Sequence, residues 1–259
     1  MRSLFITLLA ASTIAVPATA QTYAELIARG DSLIDALVPT AAREAYRAAL
    51  QLDSTRAEAM HTFARAQGDV AQQVPDSRAG DRDDLYAEAW SWATRAVQAD
   101  SSDAEGWFQQ SVSLGRLSRT KGGKERVRYA RQIYDAAARA VELDPIHDGA
   151  HHVLGAWHAE IERLPGVSKF FARALFGADF MGRASWDSAL VHLERAVELK
   201  PSYLYHHLEL AQVLIDLERY PEAREHLEMV LALQPTSDVS DPTYQQEAAE
   251  LLEEIRERS

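Results

Sequence analysis

Histidines at helical spacing are the first residues of this 259-residue chain that could do chemistry. His147 with His151, and His158 with Glu162, lie four apart, which brings two side chains onto one face of a helix and can seat a metal there. Neither pair has a third ligand at matching spacing, no His-Glu-x-x-His run occurs, and His152 and His207 fall on different faces from their neighbours. Packing and hydrogen bonding are the better account, and no metal is expected. Catalysis has less to draw on. There is no Gly-x-Ser-x-Gly, no phosphate-cradling glycine loop and no cysteine nucleophile, and the carboxylates are spread as helix-surface charge. No catalytic residue or cofactor is assigned, and the chain is not read as an enzyme.

A second constellation is basic. Arg116, Arg119, Lys121, Lys124, Arg126, Arg128 and Arg131 stand against one acid, Glu125, in a chain whose formal net charge is −12. The Gly122-Gly123 turn, flanked by Arg119, Lys121 and Lys124, is a candidate for meeting phosphate or carboxylate groups of a lipid head or a partner. A solvated loop paired with neighbouring acidic helices is the plainer reading. The acidic balance of the whole argues against nucleic acid as a partner.

Both constellations need helices to position them. Apolar residues make up 47% of the chain, while Gly (12) and Pro (9) are sparse, which suits an all-α protein. Five times the same pattern returns: a helix-period run, then small and large residues at Ala-x3-x-x2-x spacing, then a helix stop. The clearest copy is Ala223, Leu227, Val230 and Pro235. It is matched by Ala189, Leu193, Ala196 and Pro201, by Ala137, Ala140 and Pro145, and more faintly around Ala42–Ser54 and Ala89–Ser101. A helical hairpin that recurs cannot bury its apolar face alone, so the copies must stack. The expected hairpins span 23–54, 57–101, 104–145, 148–201 and 204–237, with a capping helix over 241–257. A polar stretch from Gln72 to Asp84 reads as a loop inside the second hairpin. An insertion from Arg163 to Arg183 in the fourth carries Val167, Phe170, Phe171, Ala174 and Leu175 at helical spacing.

Residues 1–20 differ in kind. Arg2, an apolar stretch from Leu4 to Val16 and the small-x-small exit Ala18-Thr19-Ala20 read as a signal peptide cleaved near Ala20. The expected location is therefore periplasmic or secreted. With no cysteine for disulfides, helix packing alone must hold the exported chain.

The hairpins resemble the tetratricopeptide repeat, an α-solenoid in which a glycine or alanine lets the paired helices approach. From about Leu117 onward the chain also resembles the regulator of microtubule dynamics family. The residues that carry this are His151-His152-Val153-Leu154-Gly155-Ala156-Trp157-His158-Ala159-Glu160, then Phe171-Ala172-Arg173-Ala174-Leu175-Phe176-Gly177, Ala184 to Leu190, Leu199 to His207 and Asp241 to Ala248. The resemblance implies a non-enzymatic interaction module and, in one eukaryotic branch, lipid binding at organelle contact sites. An export signal sets any microtubule role aside.

In such an array the first helix of each hairpin lines the hollow. Phe108, Val112, His152, Ala156, Tyr205, Leu208 and Gln212 are expected to face it, with Phe170 and Phe171 of the inserted helix as a lid. The expected partner is a protein or peptide segment, and the alternative is a soluble lipid carrier with an enclosed apolar cavity. Self-filling of the hollow by the insertion's own aromatics competes with both. A clamp for a partner's terminal carboxylate built on lysine and asparagine is disfavoured, since the chain has four lysines and no asparagine.

Overall fold

The structure is a computed structural model that describes residues 21–119, 121–169, 174 and 179–258. The expected leader at 1–20 and the expected lid residues Phe170 and Phe171 lie outside these residues. The described residues form helices and no strand. They pair in chain order as α1 (Tyr23–Asp35) with α2 (Pro39–Leu52), α3 (Ala57–Gln72) with α4 (Ala79–Ala99), and α5 (Ala104–Ser118) with α6 (Gly123–Leu143). Then α7 (Asp148–Arg163) pairs with α8 (Trp186–Leu199), and α9 (Leu204–Asp216) with α10 (Tyr220–Ala232), before α11 (Asp241–Glu254) closes the stack.

Local chemistry sets the helix ends. Thr22 and Glu25 form a reciprocal capping box at α1, while Asp103 and Ser185 cap α5 and α8 with their side chains. Three of the four helix stops between hairpins share one device. Asp53, Asp100 and Asp144 each accept from the backbone N–H two residues on, at 3.0, 2.9 and 3.1 Å, turning the chain before the next helix. Within hairpins one and five the turn instead places Leu37 (φ 58°) and Glu218 (φ 59°) in the left-handed region. Their neighbours Val38 and Arg219 donate back to Leu33 and Leu214 across a full helical turn.

The loop expected from Gln72 to Asp84 is shorter than that. A 3₁₀ turn at Asp76–Arg78 runs straight into α4, which begins at Ala79. Ion pairs from Arg78 to Asp81 (2.6 Å) and from Arg82 to Asp76 (2.7 Å) tie this start together, and the acids meet the positive end of the helix dipole. Helix α4 therefore tolerates Gly80 in its first turn.

Two glycines set how closely the paired helices approach. A Cβ on Gly30 of α1 would lie 2.2 Å from the Tyr46 ring of α2, and one on Gly155 of α7 would lie 2.5 Å from Leu193 Cγ of α8. Tyr46 and Leu193 are both fully buried, so neither large side chain has space to retreat.

Candidate functional site: the inner trough

The first helices of hairpins two to five and the capping helix lie in a row, with α3 beside α5, α5 beside α7, α7 beside α9, and α9 beside α11. Their shared face is a trough, and its lining is polar and aromatic rather than apolar. Tyr244 of α11 stacks on Tyr205 of α9 at 4.5 Å with an interplanar angle of 5°, and Tyr205 packs on His152 of α7 at 4.4 Å. His152 Nδ1 meets His206 Nδ1 at 3.1 Å, and His206 Nε2 bonds Asp148 Oδ2 at 2.9 Å. Burial pushes the Tyr205 phenol up to about 12, with Glu209 adding to it, and pushes the His152 imidazole well down. Asp148 is held down to about 2 despite its burial, because His206 and Lys200 favour its charge.

Near the same cluster stands Arg116 of α5. Its guanidinium lies 3.8 Å from Asp69 Oδ1 of α3 and over Gly68, where a Cβ would come within 2.7 Å of Nη1. With the Gln72 amide oriented so that every group is satisfied, its oxygen accepts from Arg116 Nη1 and Nη2 at 3.1 and 2.6 Å and its nitrogen meets Ser240 Oγ. Burial alone would lower the Arg116 pKa, but Asp69, Tyr86, Tyr244 and Asp238 raise it above its ordinary value. The segment before α11 thus reaches back across the array to α3, 168 residues earlier. Tyr203 donates its hydroxyl to Asp238 Oδ2 in the same segment.

The expected trough residues divide accordingly. His152, Tyr205 and Gln212 are joined in this row, Gln212 donating to Glu247 of α11 at 2.7 Å. Val112 and Ala156 are half-buried on α5 and α7. Two expectations need correction. Phe108 is packed into the junction of hairpins three and four, its ring 4.5 Å from His147 and in the space that Gly149 leaves by having no Cβ. Leu208 is fully buried among the α8, α9 and α10 side chains and offers no surface to a ligand. Helical period alone points both at the hollow, but Phe108 meets the start of α7, and Leu208 lies on α9, which is enclosed by α7, α8, α10 and α11 on more sides than a surface helix would be.

The basic turn is partly engaged. Lys121 approaches Asp83 at 3.9 Å, Arg128 pairs with Glu125, and Arg131 lies over the Phe180 ring at 4.7 Å. Lys124 and Arg126 are exposed, and Arg119, also exposed, acts on the Tyr205 and Glu209 groups of the trough. Arg163 of α7 lashes the same region, bonding Glu160, Glu209 and Asp216.

The histidines form an arrangement that spacing did not suggest. His151 of α7 meets His192 of α8 at 3.0 Å between Nδ1 atoms, and His207 of α9 meets His226 of α10 at 2.9 Å. In each pair the first ring turns Nε2 to a proline carbonyl six residues back, Pro145 at 3.2 Å and Pro201 at 2.9 Å. Only donation from Nε2 satisfies a carbonyl, so Nδ1 of His151 and His207 accepts and Nδ1 of His192 and His226 donates. The sequence holds a faint trace of this in Pro-x5-His at 145–151 and 201–207, and in His192 and His226 thirty-four residues apart. Among the described residues no group of three or more side chains converges as metal ligands would. The described residues include an open cleft of about 220 Å³ edged by Arg163, Gln212 and Leu251, and another of about 440 Å³ edged by Val141, His151, Val191 and His192.

A family model described as regulator of microtubule dynamics protein 1-3 matches residues 26–256. The chain belongs to the regulator of microtubule dynamics family. Regulator of microtubule dynamics protein 1 of Pongo abelii is 27% identical over 210 residues, covering 80% of this chain and 65% of its own length. The Homo sapiens protein 1 is 26% identical over 198 residues, with 76% and 62% covered. The Bos taurus protein 1 matches at 26% identity over 58% of this chain and 47% of its own length, so this member of the family spans about half to two thirds of those relatives. Among solved structures, a thermophilic tetratricopeptide protein of Thermus thermophilus superposes with a TM-score of 0.62 at 19% identity, covering 88% of this chain and all of that one. Pseudomonas aeruginosa pilF does so with a TM-score of 0.54 at 15% identity, covering 90% and 91%. These likenesses show the fold, an all-α tetratricopeptide-like solenoid.

Proposed function

We propose that this member of the family is a non-catalytic binding module that holds a protein segment along its inner trough. The observation that carries the reading is the unbroken row of α3, α5, α7, α9 and the capping helix α11, which presents hydrogen-bonding groups and flat aromatic rings along one face. Such a surface suits an extended chain, whose backbone and side chains alternate polar and apolar contacts. The leader-like sequence at 1–20 supports an exported module, to which no microtubule role is assigned.

A photo-crosslinking side chain at Val112, on the trough, is expected to capture a protein partner in cells of the source organism. The same group at Val191, exposed on α8, serves as the comparison. Equal capture at both positions, or none at either, overturns the reading.

The second reading, a lipid carrier, rests on the exposed cations Lys124 and Arg126 beside Lys121. It predicts a co-purified acyl ligand in native mass spectra. It also predicts that Lys121→Glu with Lys124→Glu weakens binding to anionic vesicles in a salt-dependent way. A clean mass, together with vesicle binding indifferent to both salt and charge reversal, removes it.

A further inference from the structure

The trough is not empty. Residues 236–241, between α10 and α11, lie against it and are knitted into a fixed turn. Thr236 donates its hydroxyl (2.8 Å) and its backbone N–H to Asp241 Oδ2, and the Asp238 N–H donates to Thr236 Oγ1 at 3.3 Å. The Asp238 carboxylate takes the Ser240 N–H on Oδ1 at 2.8 Å and the Tyr203 hydroxyl on Oδ2. Ser240 reaches on to Gln72, and Gln72 to the Arg116 guanidinium.

This turn presents a carboxylate to a cation without satisfying it. Asp238 is brought towards Arg116 through Ser240 and Gln72 but forms no ion pair with it, and Asp69, the one carboxylate that does pair with Arg116 among the described residues, stands off at 3.8 Å. A guanidinium carries five donors in a fork that fits a carboxylate two at a time. Here two contacts go to one amide oxygen, Asp69 is held only at 3.8 Å, and the side chain keeps 27% of its surface exposed.

We propose that residues 236–241 are a built-in occupant of the trough and that the partner is an extended acidic peptide segment, whose carboxylate displaces Asp238 and pairs directly with Arg116. The proposal rests on the protein-binding reading above and names the partner's chemistry and its control. An incoming segment is free of the covalent tether that holds Asp238 off the guanidinium, so it can reach bidentate geometry. Tyr203 then donates to the newcomer, and the tyrosine platform of Tyr205 and Tyr244 packs beside it. Lying in cis, the turn competes at an effective concentration in the millimolar range, so the free protein resists weak ligands.

The probe is a fluorescently labelled peptide with the sequence of residues 234–243, titrated into the full chain and followed by anisotropy. Wild-type protein is expected to bind it weakly, because the tethered copy holds the site. Asp238→Ala in the protein is expected to raise affinity at least about tenfold by removing the competing carboxylate. Within that variant, Arg116→Gln is expected to return affinity to the wild-type value, with folding checked by thermal melting. A peptide carrying Asp238→Ala is expected to bind at least about tenfold more weakly than the parent peptide. That last comparison leaves the protein untouched and holds even where Arg116→Gln fails to fold. The proposal falls if Asp238→Ala protein binds the peptide no better than wild type, or if the peptide without its carboxylate binds equally well. It falls as well if Asp238→Ala enhances binding to phosphatidic acid vesicles but not to the peptide, which would give the trough to a lipid phosphate. None of these results touches crosslinking at Val112, so the broader reading fails or stands separately.

Discussion

Gly155→Ala is expected to destabilise the protein by about 2–3 kcal/mol, seen as a lower urea midpoint with an unchanged slope. The added methyl would sit 2.5 Å from Leu193 Cγ and 3.0 Å from the Ala189 carbonyl oxygen. The first atom is the branch point of a fully buried side chain and the second is helix backbone, so neither can swing aside. On an exposed helix the same change would gain about 1 kcal/mol of helix propensity, so the sign of the effect discriminates. Ala211, the counterpart fifty-six residues on, is fully buried in the same core cluster as Leu227 and already carries the methyl. Hairpin five is therefore spaced for alanine where hairpin four is spaced for glycine. A neutral or stabilising Gly155→Ala would mean that α7 and α8 do not meet as described. Gly30→Ala should behave in the same way, since its methyl would enter the Tyr46 ring, which is anchored by its hydroxyl bond to Asp31 at 2.7 Å.

Acidification from pH 7 to pH 4.5 should weaken the C-terminal hairpins through the histidine pairs. Burial first, and then the neighbouring histidine, push His192 and His226 down to about 4 from an ordinary 6.5. Above pH 6.5 the folded and unfolded chains hold these rings equally neutral. As the pH falls below 6.5 the unfolded chain takes up protons that the folded pair refuses, so stability drops until about pH 4 and then levels. With both rings partly open to solvent, the loss is about 1–2 kcal/mol per pair. Burial pushes the partner rings down as well, and geometry adds to it there: Nδ1 of His151 or His207 must remain an acceptor, and a proton on it would face the N–H of its partner.

Other groups titrate alongside. The carboxyls of Asp69, Glu209 and Asp241 are pushed up by burial and gain stability on acidification. His147 is raised, against its burial, by its 3.2 Å contact with Glu105, and that contribution is present in acid and fades as the pH rises through its pKa. The informative quantity is therefore the difference between the wild type and a His192→Gln, His226→Gln variant, in urea unfolding series at pH 7, 6, 5 and 4.5. The variant should show the shallower decline below pH 6.5. Parallel curves would show that the pairs do not govern the acid response.

Much of this molecule is legible without coordinates. Ala189, Leu193 and Ala196 recur as Ala223, Leu227 and Val230, all fully buried, because a repeated helix pair must bury the same positions in every copy. The acids at 53, 100 and 144 mark helix stops because a carboxylate two residues before an N–H turns the chain by itself. The start of α4 departs from expectation because Asp76, Arg78, Asp81 and Arg82 look like loop composition yet pair across a first helical turn.

The trough is legible only as a face. His152, Tyr205 and Gln212 follow from helical period, but Phe108 and Leu208 share that period and are spent on packing. The role of Arg116 in a basic run, and the approach of Ser240 to Gln72, have no local signature at all. Propensity, periodicity and capping act within one or two turns of the chain, and they fix which residues are helical and which pairs of helices stack. Where residues 236–241 come to rest depends on the accumulated rotation of five hairpins, to which every packing contact adds a small angle. Only the assembled solenoid decides that an acidic turn near its end lies beside an arginine in its middle.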